Sequence, residues 1–300
     1  MSPGLLLSQS FISITGLDRG VLITPFGMSI GASLGVPSPL ATIFTDDFET
    51  GALTDPNRYQ DIISNGGSPA FTIVNVATAG IPALNGSRVL QVGPPGGALT
   101  HFVSTAATSP YEKLHLTYYL YRTTAYQQAN NAMRVIGLRG STTQFGSFGV
   151  GYNTPGSCPD DPNNAHQQEF MFSYLEGDFD TFAVRLYTEW LNQTKLQLSP
   201  PQCGGNYAVS GSPVATYTNL AAAMPINTWN KIELEVQLNT VGQANGYSRI
   251  WMDGVLLVDH SNVVYRTNSN MKLWGMTVDS GNLAGGPAAA YYIDSIEVRG

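Results

Sequence analysis

The chain has 300 residues, of which 43% are hydrophobic and only 12% charged, with 32 Gly, 18 Pro and 15 Tyr. That apolar share is enough for a core and excludes wholesale disorder, while the shortage of Glu, Lys and Arg leaves little material for exposed helices. A net charge of −7 with 14 Lys plus Arg, and no basic cluster, argues against nucleic acid as a partner; no apolar run is long enough to cross a bilayer, so membrane insertion is not expected.

The start, "MSPGLLLSQSFISITG", lacks a positive n-region and a small-residue cleavage site, so a secretory signal of the general type is not expected. The stretch "VLITPFGMSIGASLGVPSPL" (21–40) is apolar, yet Gly27, Gly31, Gly35, Pro25, Pro37 and Pro39 break any long helix or strand. An extended apolar arm of this kind needs a surface to bury it: its own domain, a partner's groove or a neighbour's sheet edge. Because residues 1–42 precede what reads as a complete domain, we expect them to dock on a partner or on sister subunits, and so expect a homo-oligomer.

From about residue 43 the pattern becomes rhythmic. "KLHLTYYLYR" (113–122) alternates Leu114, Leu116, Tyr118 and Leu120 with His115, Thr117, Tyr119 and Tyr121, which predicts a strand with one buried face. "EFMFSYLEG" (169–177) and "FAVRLYTEWL" (182–191) flank "DFDT" and read as a hairpin. "KIELEVQL" (231–238) alternates again, and Asp253-Gly254 separates two apolar runs in "SRIWMDGVLLVDH", a strong hairpin signal. The chain closes on "AAYYIDSIEVRG", another strand. Turn residues recur throughout, so 43–300 reads as one antiparallel β-sandwich of roughly a dozen strands.

Cys158 and Cys203 lie in loops on either side of the 169–191 hairpin. They fall at nearly matched distances from its turn, which places them for a disulfide closing two loops; two separate thiols is the other possibility. A bridge would stabilise the fold by about 4 kcal/mol in the chain-entropy model and would imply an oxidising setting outside the cell.

"FTDDFETG" (44–51), "TWNKIELEVQLNT" (228–240) with "YSRIWMDGVLL" (247–257), and "YYIDSIEV" (291–298) together resemble the concanavalin A-like lectin/glucanase jelly roll, which includes legume lectins, laminin-G-like modules, glucanases and polysaccharide lyases. The resemblance implies an all-β, antiparallel jelly-roll sandwich over 43–300 with the extended arm ahead of it. It also implies a structural calcium ion pinning the first and last strands, with Asp47, Glu49 and Asp294 as ligands by position; acids capping turns in water is the alternative. The 21–40 stretch resembles short repeats of tailed-phage structural proteins.

Candidate sites follow from residue type. Glu176, Asp178 and Asp180 resemble part of a retaining glucanase strand, but the second glutamate is absent and the hairpin puts them at a turn. A lyase needs a base for the C5 proton and a cation for the carboxylate, and His115, Tyr119, Tyr121, Arg185 and Tyr187 would suit if they shared one concave face. The aromatic faces of Tyr119, Tyr121, Tyr187, Trp190 and Trp274, with Arg185 beside them, would equally stack on sugar rings. The four scattered histidines give no zinc pattern. The leading expectation is a non-enzymatic virion-surface protein of a tailed phage, a capsid decoration or fibre-like component docked to virion proteins through 1–42, with the jelly roll exposed to glycans. The alternative is a polysaccharide-active enzyme, lyase or glycoside hydrolase, or a secreted carbohydrate-binding module on the same fold.

Overall fold

A computed structural model describes residues 40–300, apart from residue 51 and residues 56–57, 65–69, 94–96, 105–107, 125–132, 142–169, 178–183, 191–205, 208–215, 218–223, 267 and 280–289. The chain divides into Met1–Pro39 and Leu40–Gly300. The first unit, and with it nearly all of the expected arm, lies outside the described residues. The arm's last residue, Thr42, already belongs to the first strand.

Strands numbered in chain order form two antiparallel sheets, as expected for a jelly-roll sandwich. One has nine strands. In spatial order they are β11 (Thr216–Tyr217), β14 (Val255–Val263), β13 (Gly246–Met252), β12 (Trp229–Gln237), β6 (Lys113–Arg122), β16 (Tyr291–Arg299), β4 (Arg88–Val92) and β3 (Phe71–Asn75), with β1 (Thr42–Asp46) also paired to β16. The other has seven: β10 (Asn206–Tyr207), β9 (Val184–Trp190), β8 (Phe170–Gly177), β7 (Met133–Ser141), β15 (Lys272–Asp279), β5 (Gly97–Phe102) and β2 (Asp61–Ser64).

The core lies between the sheets. Leu114, Leu116, Tyr118 and Leu120 of β6 and Ile232, Leu234 and Val236 of β12 are fully buried there. They meet Leu99 of β5, Ile136 and Leu138 of β7 and Met276 and Val278 of β15. Each such Leu, Ile or Val side chain contributes about 1.5–3 kcal/mol when removed from water. Alternation in the sequence therefore becomes alternation of faces. The Asp253-Gly254 turn joins β13 to β14 with both residues at positive φ, 50° and 80°, and the Asp253 carboxylate accepts the Lys231 N–H.

The ends of the domain are fastened together. Ala41 and Gly300 exchange two backbone hydrogen bonds, and β1 runs along β16 from Thr42↔Arg299 to Asp46↔Ile296. A short helix, α1 (Val76–Ala79), is capped by the Asn75 side chain and by Gly80 at φ 69°. It covers a second apolar cluster on the outer side of the nine-stranded sheet, formed by Val76, Ile81, Val89, Tyr121, Ala290 and Tyr292 with Trp229 against it.

Candidate functional site

The two sheets turn two different surfaces outward. On the nine-stranded sheet the odd-numbered positions of β6 and β12 form a charged lattice. Lys113 Nζ lies 3.0 Å from Glu235 Oε1, the Tyr247 hydroxyl donates to the same oxygen at 2.7 Å, and His115 Nδ1 is 3.3 Å from Oε2. Burial alone would raise the Glu235 carboxyl, but hydrogen bonds from His115, Tyr247 and Lys113 outweigh it and pull its pKa to about 2. Lys231 pairs with Glu233 at 3.0 Å, and Arg249 with Asp259 at 3.1 Å while lying over the Tyr247 ring at 4.2 Å.

Next to this lattice a groove of about 510 Å³ runs between β1, β16, β6 and β12, with Tyr119, Thr117, Lys231, Arg58 and Arg299 in its walls. At its floor Asp46, 2% exposed, accepts from Phe48 N and the Tyr59 hydroxyl and pairs with Arg58 at 3.1 Å. Burial first, and the Asp46 charge second, push the Tyr59 phenol well up.

The outer surface of the seven-stranded sheet is set by register. Since Leu99, Ile136, Leu138, Met276 and Val278 point into the core, the alternate positions of β5, β7 and β15 face away from it. Directly opposite residues share a face, and across the sheet they make one transverse row: Asp61, Thr100, Thr277, Gly137, Tyr174, Tyr187 and Tyr207. The Thr100 and Thr277 hydroxyls are 3.1 Å apart and fully buried. The next row on the same face runs Phe102, Gly275, Arg139, Phe172 and Glu189, with Arg139 1% exposed. On the other side Arg134, Glu176 and Arg185 are paired in succession. Three tyrosine positions and a glycine stand in line beside the buried threonine pair, with arginine positions alongside, in a row that runs across the strands.

Several expected residues fall elsewhere. Tyr119 and Tyr121 are on β6, whereas Arg185 and Tyr187 are on β9 in the other sheet, so one concave surface does not unite them. Tyr121 is 6% exposed and packs with Trp229 as part of the second cluster, ring centroids 5.3 Å apart. Trp274 is 1% exposed; its indole donates to Ser141 Oγ at 2.8 Å and meets Phe102 edge-on, which withdraws it as a sugar platform. Trp190 is opposite Met171 and so occupies the face opposite to that of Tyr187.

Asp47, Glu49 and Asp294, the acids expected to hold calcium, each have protein partners, and no group of three His, Cys, Asp or Glu that could hold a metal ion is found among the described residues. Glu49 spends its carboxylate on Ser87 N, Ser87 Oγ and Arg88 N, whose hydrogen bonds hold its pKa low, Arg88 first, against some desolvation. Asp47 accepts from Glu49 N. Asp294, 1% exposed, accepts from Asn85 N and from the Ser295 hydroxyl, and burial raises its pKa. These acids tie turns together. Cys158, Cys203, Asp178 and Asp180 lie outside the described residues; Glu176 stands at the end of β8, where the β8–β9 hairpin closes.

Sequence reasoning missed Tyr174, Tyr207, Arg139, Thr100 and Thr277 as neighbours of Tyr187. The alternation in "FMFSYLEG" was visible, but only strand pairing brings it beside β7, β9 and β15.

Residues 220–292 match the family model described as Polysaccharide lyase 14, a span holding β12 to β15 and the start of β16. No curated protein matches the sequence significantly. Among solved structures the chain is similar to a marine alginate lyase of family 14 from Aplysia kurodai, at 15% identity with a TM-score of 0.55, covering 86% of this chain and 98% of that one. It is also similar to an alginate lyase from Chlorella virus (12% identity, 77% and 93% covered, TM-score 0.49) and an endo-β-1,4-glucuronan lyase from the fungus Trichoderma reesei (13%, 86% and 95%, 0.49). These matches give no support to the phage-repeat resemblance of 21–40. The match to the lyase family model overturns the expectation of a non-enzymatic virion-surface or capsid-decoration protein and favours the stated alternative, a polysaccharide-degrading enzyme. The likeness to the Aplysia enzyme confirms the jelly-roll sandwich.

Proposed function

We propose that the protein is a polysaccharide lyase that cleaves a uronate-containing polysaccharide by β-elimination on the outer face of the seven-stranded sheet. The match of residues 220–292 to the lyase family carries this reading, because that span supplies β15 and with it Thr277, at the centre of the transverse row. The row and its flanking arginine positions fit what the reaction needs.

Elimination removes the proton at C5, next to the uronate carboxylate. The electron pair left behind forms the C4–C5 double bond, the C4–O bond breaks, and the leaving oxygen takes a proton. A cation beside the carboxylate stabilises the developing negative charge, a role assigned to the Arg185 position. A phenolate beside a cation is a competent base, and the phenol it becomes is a competent acid toward the leaving oxygen. Tyr174 and Tyr187, directly opposite each other, supply that pair of positions.

The test is to incubate the full chain with alginate and with glucuronan and follow the ultraviolet absorbance of the new double bond. We expect absorbance to rise on one of them and Tyr187→Phe to slow it about 10²–10⁴-fold with an unchanged melting temperature. New reducing ends without the absorbance would make the enzyme a hydrolase. No cleavage of any uronan would remove the proposal.

A further inference from the structure

We propose that the groove beside Tyr119 on the nine-stranded sheet is a second saccharide-binding site, taking neutral, hydroxyl-rich glycans, on the opposite side of the sandwich from the elimination face. The groove is a product of backbone irregularity. The β16–β6 register shifts between Asp294 and Glu297, and Ser295 takes φ 51° and Phe48 φ 61°. Its volume of about 510 Å³ falls inside the range of roughly 300–1,000 Å³ usual for small-molecule sites.

Charge decides the class of ligand. Arg58 is paired with Asp46 at 3.1 Å, Lys231 with Glu233 at 3.0 Å and Arg299 with Glu297 at 2.7 Å. A uronate carboxylate entering the groove would meet cations already neutralised and a further acid, Asp47, in the wall. Sugar hydroxyls fit both halves of each pair, donating to a carboxylate and accepting from a guanidinium or ammonium group. Thr117 stands directly between Glu233 and Glu297 in register, a short side chain that keeps the middle of the groove open, and Tyr119 offers a ring for stacking.

The acids act as acceptors here. The Arg299 hydrogen bond holds the Glu297 carboxyl below its ordinary value, which suits it to accept from sugar hydroxyls.

The experiment is affinity electrophoresis of the full chain through gels containing a soluble β-glucan, galactomannan, soluble starch or alginate, with lyase assays on the same samples. We expect retardation in at least one neutral gel, and about a tenfold loss of apparent affinity in Tyr119→Ala, the size of one lost contact. Arg299→Ala, at a half-exposed side chain, should show a similar loss. Elimination activity should stay at the unmodified level in both. Absence of retardation in every neutral gel, retardation by alginate alone, or unaltered affinity in both variants would each overturn the proposal. Since elimination is read separately, failure of the lyase reading would show in a different measurement.

Discussion

The two outer faces of the sandwich handle polar groups in opposite ways. On the nine-stranded sheet Lys113, Lys231, Arg249 and Arg299 each lean on a neighbouring acid, in partly exposed pairs. Pairs of this kind are worth about 0–1 kcal/mol each, because water screens them and holding two long side chains costs entropy. On the seven-stranded sheet Thr100, Arg139, Ser141 and Thr277 are buried, and a buried polar group is stable only while its hydrogen bonds are met. The first face tolerates change; the second is intolerant, as expected of a surface shaped around chemistry.

The largest effect should come from the exception on the first face. Asp46 is buried under the groove with three partners, Phe48 N, the Tyr59 hydroxyl and Arg58. Asp46→Ala leaves all of them without an acceptor and should cost about 3–5 kcal/mol, measured by urea unfolding. A loss below about 1 kcal/mol, the scale of an exposed pair, would show that the two faces do not differ as argued.

The contrast also explains what the sequence made legible. β6, β12, the β13–β14 hairpin and β16 could be read because each has one buried face, so alternation of residue type reports alternation of environment. The β8–β9 hairpin was legible from its turn. Alternation does not say which sheet a strand joins, and Tyr119 and Tyr187 were grouped although two sheets separate them. Trp274 misled because residue type does not report burial: the ring is 1% exposed, edge-on to Phe102 and bonded to Ser141. The transverse row was not legible at all: Thr100, Gly137, Tyr174, Tyr187, Tyr207 and Thr277 become neighbours only through pairing of strands far apart in the chain. α1, four residues long, shows only its caps, Asn75 and Gly80.

A smaller effect tests the second face directly. Thr100→Val alone leaves the Thr277 hydroxyl buried without its 3.1 Å partner and should cost about 1–3 kcal/mol, as should Thr277→Val. The double variant removes both polar groups and should be nearer the original protein than the two single losses added together. Additive losses would mean that the two hydroxyls do not depend on each other, and the description of this face as a coupled buried surface would fail.

The smallest effect belongs to the lattice of the first face and is best seen through pH. Glu235 has its pKa depressed from 4.5 to about 2, so its ionised form is the one that the folded state favours. Its contribution is full above the unfolded value of 4.5 and is lost as pH falls toward about 2. Glu235→Gln should therefore destabilise by roughly 1 kcal/mol at neutral pH, and the gap between variant and original protein should close in acid. Urea unfolding of both proteins at neutral pH and at successively lower pH gives the two curves. A gap that stays constant down to the acid limit would mean that Glu235 acts through packing, and that the charges on this face contribute nothing measurable to the fold.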